Sequence, residues 1–334
     1  MAILVTGGAG YIGSHMVLAL KDRGEDVVVL DDFSTGFPWA VADGVPVVEG
    51  DVADRELVAR LIADHGVTEI AHFAAKIVVP ESVENPLLYY HANTAKTRDL
   101  IETAVKTGVK HFIFSSTAAV YGNPLTNPVG EDAVPAPMSP YGTSKLMSEW
   151  VLRDAAAAHG FTYAVLRYFN VAGADPQGRS GQSTPNATHL IKVACQTALG
   201  QRPKMDVFGT DFPTPDGTCV RDYIHVTDLA EAHVVALQHL RQGGGSITAN
   251  CGYGRGFSVL EVIEAVKRAS GIDFRADLGP RRAGDPAMIV AKADFIRQQL
   301  GWVPGHDDLD GIVTQALAWE KRLGAAHEQD RVSS

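Results

Sequence analysis

Ala2-Ile-Leu-Val-Thr6 followed by Gly7-Gly-Ala-Gly10-Tyr-Ile-Gly13 decides how the chain folds. The first run is short and largely apolar, as a strand buried on both faces should be. The second opens a helix-like segment that runs through Leu20 and stops near Gly24. Its spacing fits G-x-G-x-x-G from Gly8 and G-x-x-G-x-x-G from Gly7. Glycines there allow a tight turn, bring backbone N–H groups to a pyrophosphate and let helix pack on strand. A glycine-rich turn in an unliganded α/β protein would explain the glycines alone. It does not explain why the next strand, Asp26-Val-Val-Val-Leu30, ends in Asp31-Asp32. An aspartate at that position accepts hydrogen bonds from an adenosine ribose and repels a 2′-phosphate, and no arginine follows directly, so NAD is expected rather than NADP.

Outward from this core the alternation continues. Val45–Glu49 reads as a third strand, ending near Asp51 and Val52, with Asp51 available to an adenine amino group. A helix over 54–64 leads to strand Glu69–Phe73, with Ala74-Ala75 at the carboxyl edge where open parallel sheets bind ligands. Lys76 to Ser82 reads as a loop, and 86–107 as one long helix carrying Asn93. Strand Val109–Phe114 then delivers Ser115-Ser116-Thr117 to the same edge. The five prolines of 122–140 mark a loop, and strand Tyr163–Tyr168 leads into Phe169-Asn170. The fold class is therefore α/β, a Rossmann-type doubly wound parallel sheet. From Val171 the composition turns to Gly, Pro, Asn and Ser, so a smaller C-terminal α/β substrate lobe is expected over 171–330. The dinucleotide domain covers 1–170, with parts of 218–255 returning to it.

Tyr141-Gly-Thr-Ser-Lys145 places a phenol and an ammonium on one face of a helix. The ammonium is expected to lower the phenol's pKa from about 10 toward neutrality, so that it can take a proton from an alcohol while a cofactor takes the hydride. The spacing alone is better explained by a surface tyrosine with a solvated lysine. A dinucleotide site and a hydroxyl cluster ending in Thr117 make the catalytic explanation the better one.

Composition sets limits. With 334 residues, 46% of them hydrophobic, the chain can bury a large core. A formal charge of -10 argues against a nucleic-acid partner. Cys195, Cys219 and Cys251 lack metal-like spacing, and the twelve histidines have no companion motif, so no metal is expected and the compartment is a reducing one. A strand that begins at Ala2 leaves no room for a signal peptide, and no apolar run approaches the roughly 20 residues that span a bilayer. A cytoplasmic protein with no membrane partner is expected.

Six runs together carry a family resemblance: Val5–His15, Phe112–Gly122, Ser139–Lys145, Leu166–Asn170, Gly217–Val226 and Pro280–Asp285. The chain resembles the extended short-chain dehydrogenase/reductase family and, within it, the UDP-glucose (UDP-galactose) 4-epimerases. The resemblance implies that Tyr141 takes the 4-hydroxyl proton of a hexose, with Lys145 and Thr117 as its catalytic companions. It implies tightly bound NAD, held by Gly7, Gly10, Tyr11, Ile12, Gly13, Asp31, Asp32, Asp51, Val52, Phe73, Ala74, Ala75, Lys76, Asn93, Ser115 and Tyr168 as well as Tyr141 and Lys145. For the UDP-hexose it implies Asn170, His189, Phe208, Arg221, Arg282 and Asp285, in addition to Thr117 and Tyr141. A guanidinium fork suits a pyrophosphate because it bonds two oxygens at once. It also implies a homodimer, paired through helices 86–107 and 144–158, with Leu146, Met147, Trp150 and Val151 as apolar contacts; a core role explains those four equally well.

The pattern departs from the family at two places. Lys76 falls one position early in its loop and Pro80 replaces a glycine, and Ile289 stands where a large tyrosine can exclude N-acetyl groups. Epimerases of UDP-GlcNAc/GalNAc, UDP-xylose/arabinose and UDP-glucuronate therefore remain open readings, as does a non-catalytic NAD-binding sensor. A 4,6-dehydratase needs Asp-Glu after the threonine, where this chain has Ala118 and Ala119.

Overall fold

The computed structural model describes residues 1–185, 187–282 and 285–333. In chain order its first half comprises β1 (Ala2–Thr6), α1 (Tyr11–Lys21), β2 (Asp26–Asp31), β3 (Val47–Glu49), α2 (Arg55–His65), β4 (Val67–His72), α3 (Val79–Glu84), α4 (Pro86–Tyr89), α5 (Lys96–Thr107), β5 (His111–Thr117) and α6 (Pro140–His159). The second half continues with β6 (Thr162–Tyr168), β7 (Asn170–Ala172), α7 (Leu190–Ala198), β8 (Met205–Phe208), β9 (Val220–His225), α8 (Val226–Arg241), β10 (Ile247–Cys251) and β11 (Gly256–Ser258). It closes with α9 (Val259–Ser270), β12 (Ala276–Gly279), β13 (Met288–Ile289), α10 (Asp294–Leu300) and α11 (Leu309–Ser333).

Seven of these strands form one sheet in the order β10-β6-β5-β4-β1-β2-β3, parallel at every pairing. Strand order reverses between β1 and β4, so their carboxyl ends, Thr6 and His72, border the crevice where such sheets take a ligand. Side chains alternate across the sheet. Ile3, Val5 and Ile113 belong to the core on one face, and Leu4, Phe112 and Phe114 to the core on the other. Helices α1 and α8 pack together beside the first core, and α2, α5 and α6 cover the second. The α/β doubly wound expectation holds. A second sheet, β11-β9-β13 with β7 beside β9, and the pair β12-β8 form the rest. Of the segment 218–255, α8 and β10 return to the large sheet while β9 stays in the smaller one.

Two local readings need correction. Residues 86–107 are not one uniform α-helix: a π-helical turn, Tyr90–Ala95, lies between α4 and α5. Its cause is Asn93, which is buried and drawn inward by hydrogen bonds from its side chain to Lys76 and Ser144. The segment expected as a loop after Lys76 contains α3. Among the described residues no helix is long and apolar enough to cross a membrane.

Candidate active site

The chain leaves β1 at Gly7 with φ +71°, and a Cβ there would lie 2.6 Å from the Ala74 nitrogen beyond β4. At Gly13 a Cβ would lie 2.0 Å from the Gly7 carbonyl oxygen, so only glycine lets α1 sit this close to the loop. Gly10 is the N-cap of α1 and offers no capping side chain. The first-turn amides of Tyr11, Ile12 and Gly13 are therefore left for an anion. Beside them, Asp31 accepts from Ala9 N and Phe33 N, each at 2.9 Å, and burial pushes its pKa up. Asp31 thus fixes the glycine loop, and each oxygen keeps a second lone pair for a ribose. Asp32 is exposed and takes Ser34 N at 2.9 Å. Asp51 pairs with Lys96 and accepts from Ala53 N at 2.9 Å; these contacts outweigh burial and hold its pKa low. Val52 is buried next to it. A cradle of glycines at a helix N-terminus, closed by carboxylates on the adenosine side, fits a dinucleotide.

At the carboxyl end of β4, Phe73, Ala74, Ala75 and Lys76 are half-buried. Phe73 and Ala74 donate their amides to the Thr6 carbonyl at 2.9 and 3.1 Å, which closes the crevice floor. Asn93 accepts from Lys76 N at 2.8 Å, donates to Lys76 O at 2.9 Å and to Ser144 Oγ at 3.1 Å. Its side chain is spent on protein, which makes it a strut beneath the crevice.

Helix α6 begins at Pro140, and the Ser139 hydroxyl caps it by accepting from Gly142 N at 3.2 Å. Tyr141 and Lys145 follow one turn apart, and both are buried. Lys145 Nζ donates to the Ser115 carbonyl at 2.9 Å and stands 4.9 Å from the Phe114 ring centre. Ser115 Oγ bonds the Tyr168 hydroxyl, so β5 and β6 frame the ammonium. Thr117 Oγ1 accepts from Ala119 N at 3.1 Å at the end of β5. The expected lowering of the phenol is not what the protein alone produces. Burial pushes Tyr141 up, and the Thr117 hydroxyl opposes it only in part. Lys145 is moved down to about 7 by burial, with Glu149 acting the other way. The reason is that desolvation penalises both charged forms, while the ammonium is satisfied by a backbone carbonyl.

The residues expected on the substrate fall into two groups. Asn170 and His189 line a cleft beside Gln182, whose Nε2 lies 2.7 Å from His189 Nδ1. Burial, then Lys192, keeps His189 below its ordinary pKa. Phe208, Arg221, Arg282 and Asp285 form the second group. The Arg282 guanidinium lies 4.6 Å from the Phe208 ring centre and its Nε is 3.0 Å from Asp285 Oδ2. Arg221 Nη2 is 3.9 Å from the other Asp285 oxygen. Two arginines on one carboxylate leave donors free for an anion. Ile289 is buried in β13, in register with Arg221. The Tyr11 hydroxyl donates to Gly173 O at 2.7 Å and joins the glycine loop to this lobe.

Sequence reasoning missed Glu149 and Arg167, which with Ser116 of the hydroxyl cluster form a buried polar group behind the Tyr141–Lys145 turn. The helical spacing Lys145 to Glu149 was the available signal.

Residues 3–252 match the model of the NAD dependent epimerase/dehydratase family. The chain is 59% identical over 321 residues to a UDP-glucose 4-epimerase of Azospirillum brasilense, covering 96% of this chain and 92% of that protein. It superposes on the crystal structure of UDP-glucose 4-epimerase from Brucella ovis in complex with NAD at TM-score 0.92, with 42% identity and coverage of 95% and 97%. Against the Bifidobacterium longum UDP-glucose 4-epimerase in complex with NAD+ and UDP the TM-score is 0.92, with 37% identity and coverage of 96% and 98%.

Proposed function

The chain belongs to the NAD-dependent epimerase/dehydratase family, and from that premise we propose that it is a UDP-glucose 4-epimerase, interconverting UDP-glucose and UDP-galactose. The observation that carries this reading is the buried Tyr141–Lys145 turn, its ammonium on the Ser115 carbonyl, at the same carboxyl edge of the sheet as a glycine cradle fit for NAD. Near-full-length relatives of that name favour it over the other UDP-sugars and the sensor reading.

Bound NAD supplies the acceptor for the C4 hydride, the donor that returns it to the opposite face, and a positive charge beside the phenol. Tyr141 takes the 4-hydroxyl proton and gives it back after the 4-keto sugar has turned, so no net redox results. Thr117 bridges phenol and sugar oxygen and keeps a donor on the carbonyl. Lys145 holds charge beside Tyr141. The amides of Tyr11, Ile12 and Gly13 hold the cofactor pyrophosphate, with Gly7 and Gly10 making room. Asp31 and Asp32 take the adenosine ribose, and Asp51 and Val52 border the adenine. Phe73, Ala74, Ala75, Ser115 and Tyr168 enclose the nicotinamide side, and Lys76 and Asn93 brace it. Asn170 and His189 position the sugar diphosphate, while Phe208, Arg221, Arg282 and Asp285 bind the UDP moiety. Residues 1–170 with α8 and β10 make the NAD-binding domain, and the remainder to 330 the UDP-sugar lobe.

The working form is a homodimer in the cytoplasm. Leu146 is core, but Trp150 on α6, Val83 on α3 and Leu87 on α4 leave apolar surface exposed on adjoining helices, which supports a self-association face. The three cysteines are buried and free, which supports a reducing compartment.

Purified protein assayed with UDP-galactose and no added NAD tests the proposal. Formation of UDP-glucose is the expected result. No turnover with NAD supplied overturns it.

A further inference from the structure

One turn beyond Lys145 on α6 stands Glu149, 6% exposed. Its carboxylate accepts from Ser116 Oγ, next to the Ser115 carbonyl that holds Lys145. It also accepts from Arg167 of β6, through Nε at 3.1 and 3.2 Å and Nη2 at 2.6 Å. Arg167 is 7% exposed, and its Nη1 donates to the Tyr121 hydroxyl at 3.0 Å. Glu149 therefore bonds one buried cation, Arg167, and stands one helical turn from another, Lys145.

The other groups facing this cluster do not relieve it. His72 of β4 is held neutral between Thr6 and Thr97, its pKa carried to about 3 by burial and then by Lys145. Tyr141 on α6, and Tyr163 and Tyr168 on β6, are phenols that burial keeps protonated. Tyr89 of α4 takes up Glu81 of α3 at 2.6 Å, and Glu131 receives the Asn250 amide at 2.8 Å. On α5, Lys96 pairs with Asp51, Lys106 with Glu102, and Arg98, Asp99 and Glu102 join Arg55 of α2.

We propose that Glu149 is a positioning residue for the hydride-transfer site: its carboxylate, anchored by Arg167 and one helical turn from Lys145, keeps Lys145 charged on the Ser115 carbonyl beside Tyr141. Without that anion, the buried ammonium would bear its desolvation cost with no negative charge one turn away, and the lysine is the cation that can shed its proton. The proposal rests on the epimerase reading and says which group sets the charge on which that reading depends.

The test is Glu149→Gln, with kcat and KM for UDP-galactose followed against pH, and a lysine side-chain NMR titration of the same protein assigned with K145M. The alkaline limb of kcat and the Lys145 titration should both fall by about 1–3 pH units, while KM stays put. The double variant E149Q/R167M removes the carboxylate's partner cation as well, and should titrate below R167M by a similar margin. If E149Q does not fold, R167M against the double variant makes the same comparison: the carboxylate must raise the Lys145 titration. A limb and titration unmoved by loss of the carboxylate, with Arg167 present or absent, overturn the inference. A wild-type protein that does not epimerise sinks the epimerase reading instead, and the titration still decides the Glu149–Lys145 link.

Discussion

Asn93 donates its side-chain amide to Ser144 Oγ at 3.1 Å, and so ties the π-helical turn of residues 90–95 to the helix that carries Tyr141 and Lys145. The same side chain holds both backbone groups of Lys76. Replacing Asn93 with alanine removes three buried hydrogen bonds at about 1 kcal/mol each and strands the Lys76 amide and carbonyl. N93A should lose ~2–4 kcal/mol in denaturant unfolding and retain less NAD on purification. A variant of unchanged stability and NAD content would show that the strut is dispensable.

Tyr141 carries the next expectation. In protein stripped of NAD, burial should keep this phenol above about 10, and T117V should push it higher, because the hydroxyl is the group that lowers it. A spectrophotometric tyrosinate titration, read as wild type minus Y141F, isolates the residue. Loading with NAD should bring the same step down. Y141F should lose about 10²–10⁴ in kcat while still binding NAD. A phenol that already ionises near neutrality without NAD contradicts the role given to burial.

What was legible in the chain follows from range. The β1–glycine–α1 unit is local, since strand, turn and helix each depend on neighbours a few residues away. Tyr141 with Lys145 is equally local, fixed by one helical turn. Arg167 with Glu149 was not legible, because the pair crosses from β6 to α6 and nothing in either run marks the partner. Nor was the seating of Arg282 over the Phe208 ring, which joins the end of β8 to a segment far along the chain. The π-turn escaped because apolar period reports which face is buried, not which carbonyl each amide uses. The direction in which the Tyr141 phenol moves escaped for a related reason: a charge partner can be read from spacing, whereas burial is set by everything that packs around it.

Arg282 offers a planar fork stacked on Phe208 and anchored by Asp285. Lysine keeps the charge but loses both the fork and the stack. R282K should raise KM for UDP-galactose about 10–100-fold, as expected for loss of one charge-assisted pair, and leave kcat within a few-fold. That split marks binding shared by ground and transition states. A fall in kcat at constant KM would instead place Arg282 in the chemistry.

Stability should depend on pH through histidines buried in the neutral form. Burial holds His72 at about 3 and His15, His225 and His233 at about 4, all below the ordinary value near 6.5. The unfolded chain therefore binds more protons than the folded one between about pH 6.5 and 4, and stability falls with pH across that window. It is fully present above 6.5. His233 tests this cleanly: Nδ1 lies 2.8 Å from Leu229 O, and Nε2 is buried without a partner among the described residues. H233L keeps the volume and removes one titrating group, so near neutrality its stability should match or exceed wild type. At about pH 5 it should exceed wild type by ~2 kcal/mol more, because a proton bound only by the unfolded chain costs the fold about 1.4 kcal/mol for every pH step below 6.5. Urea unfolding at the two pH values measures the difference. Parallel losses in both proteins would mean that His233 already carries its proton in the fold.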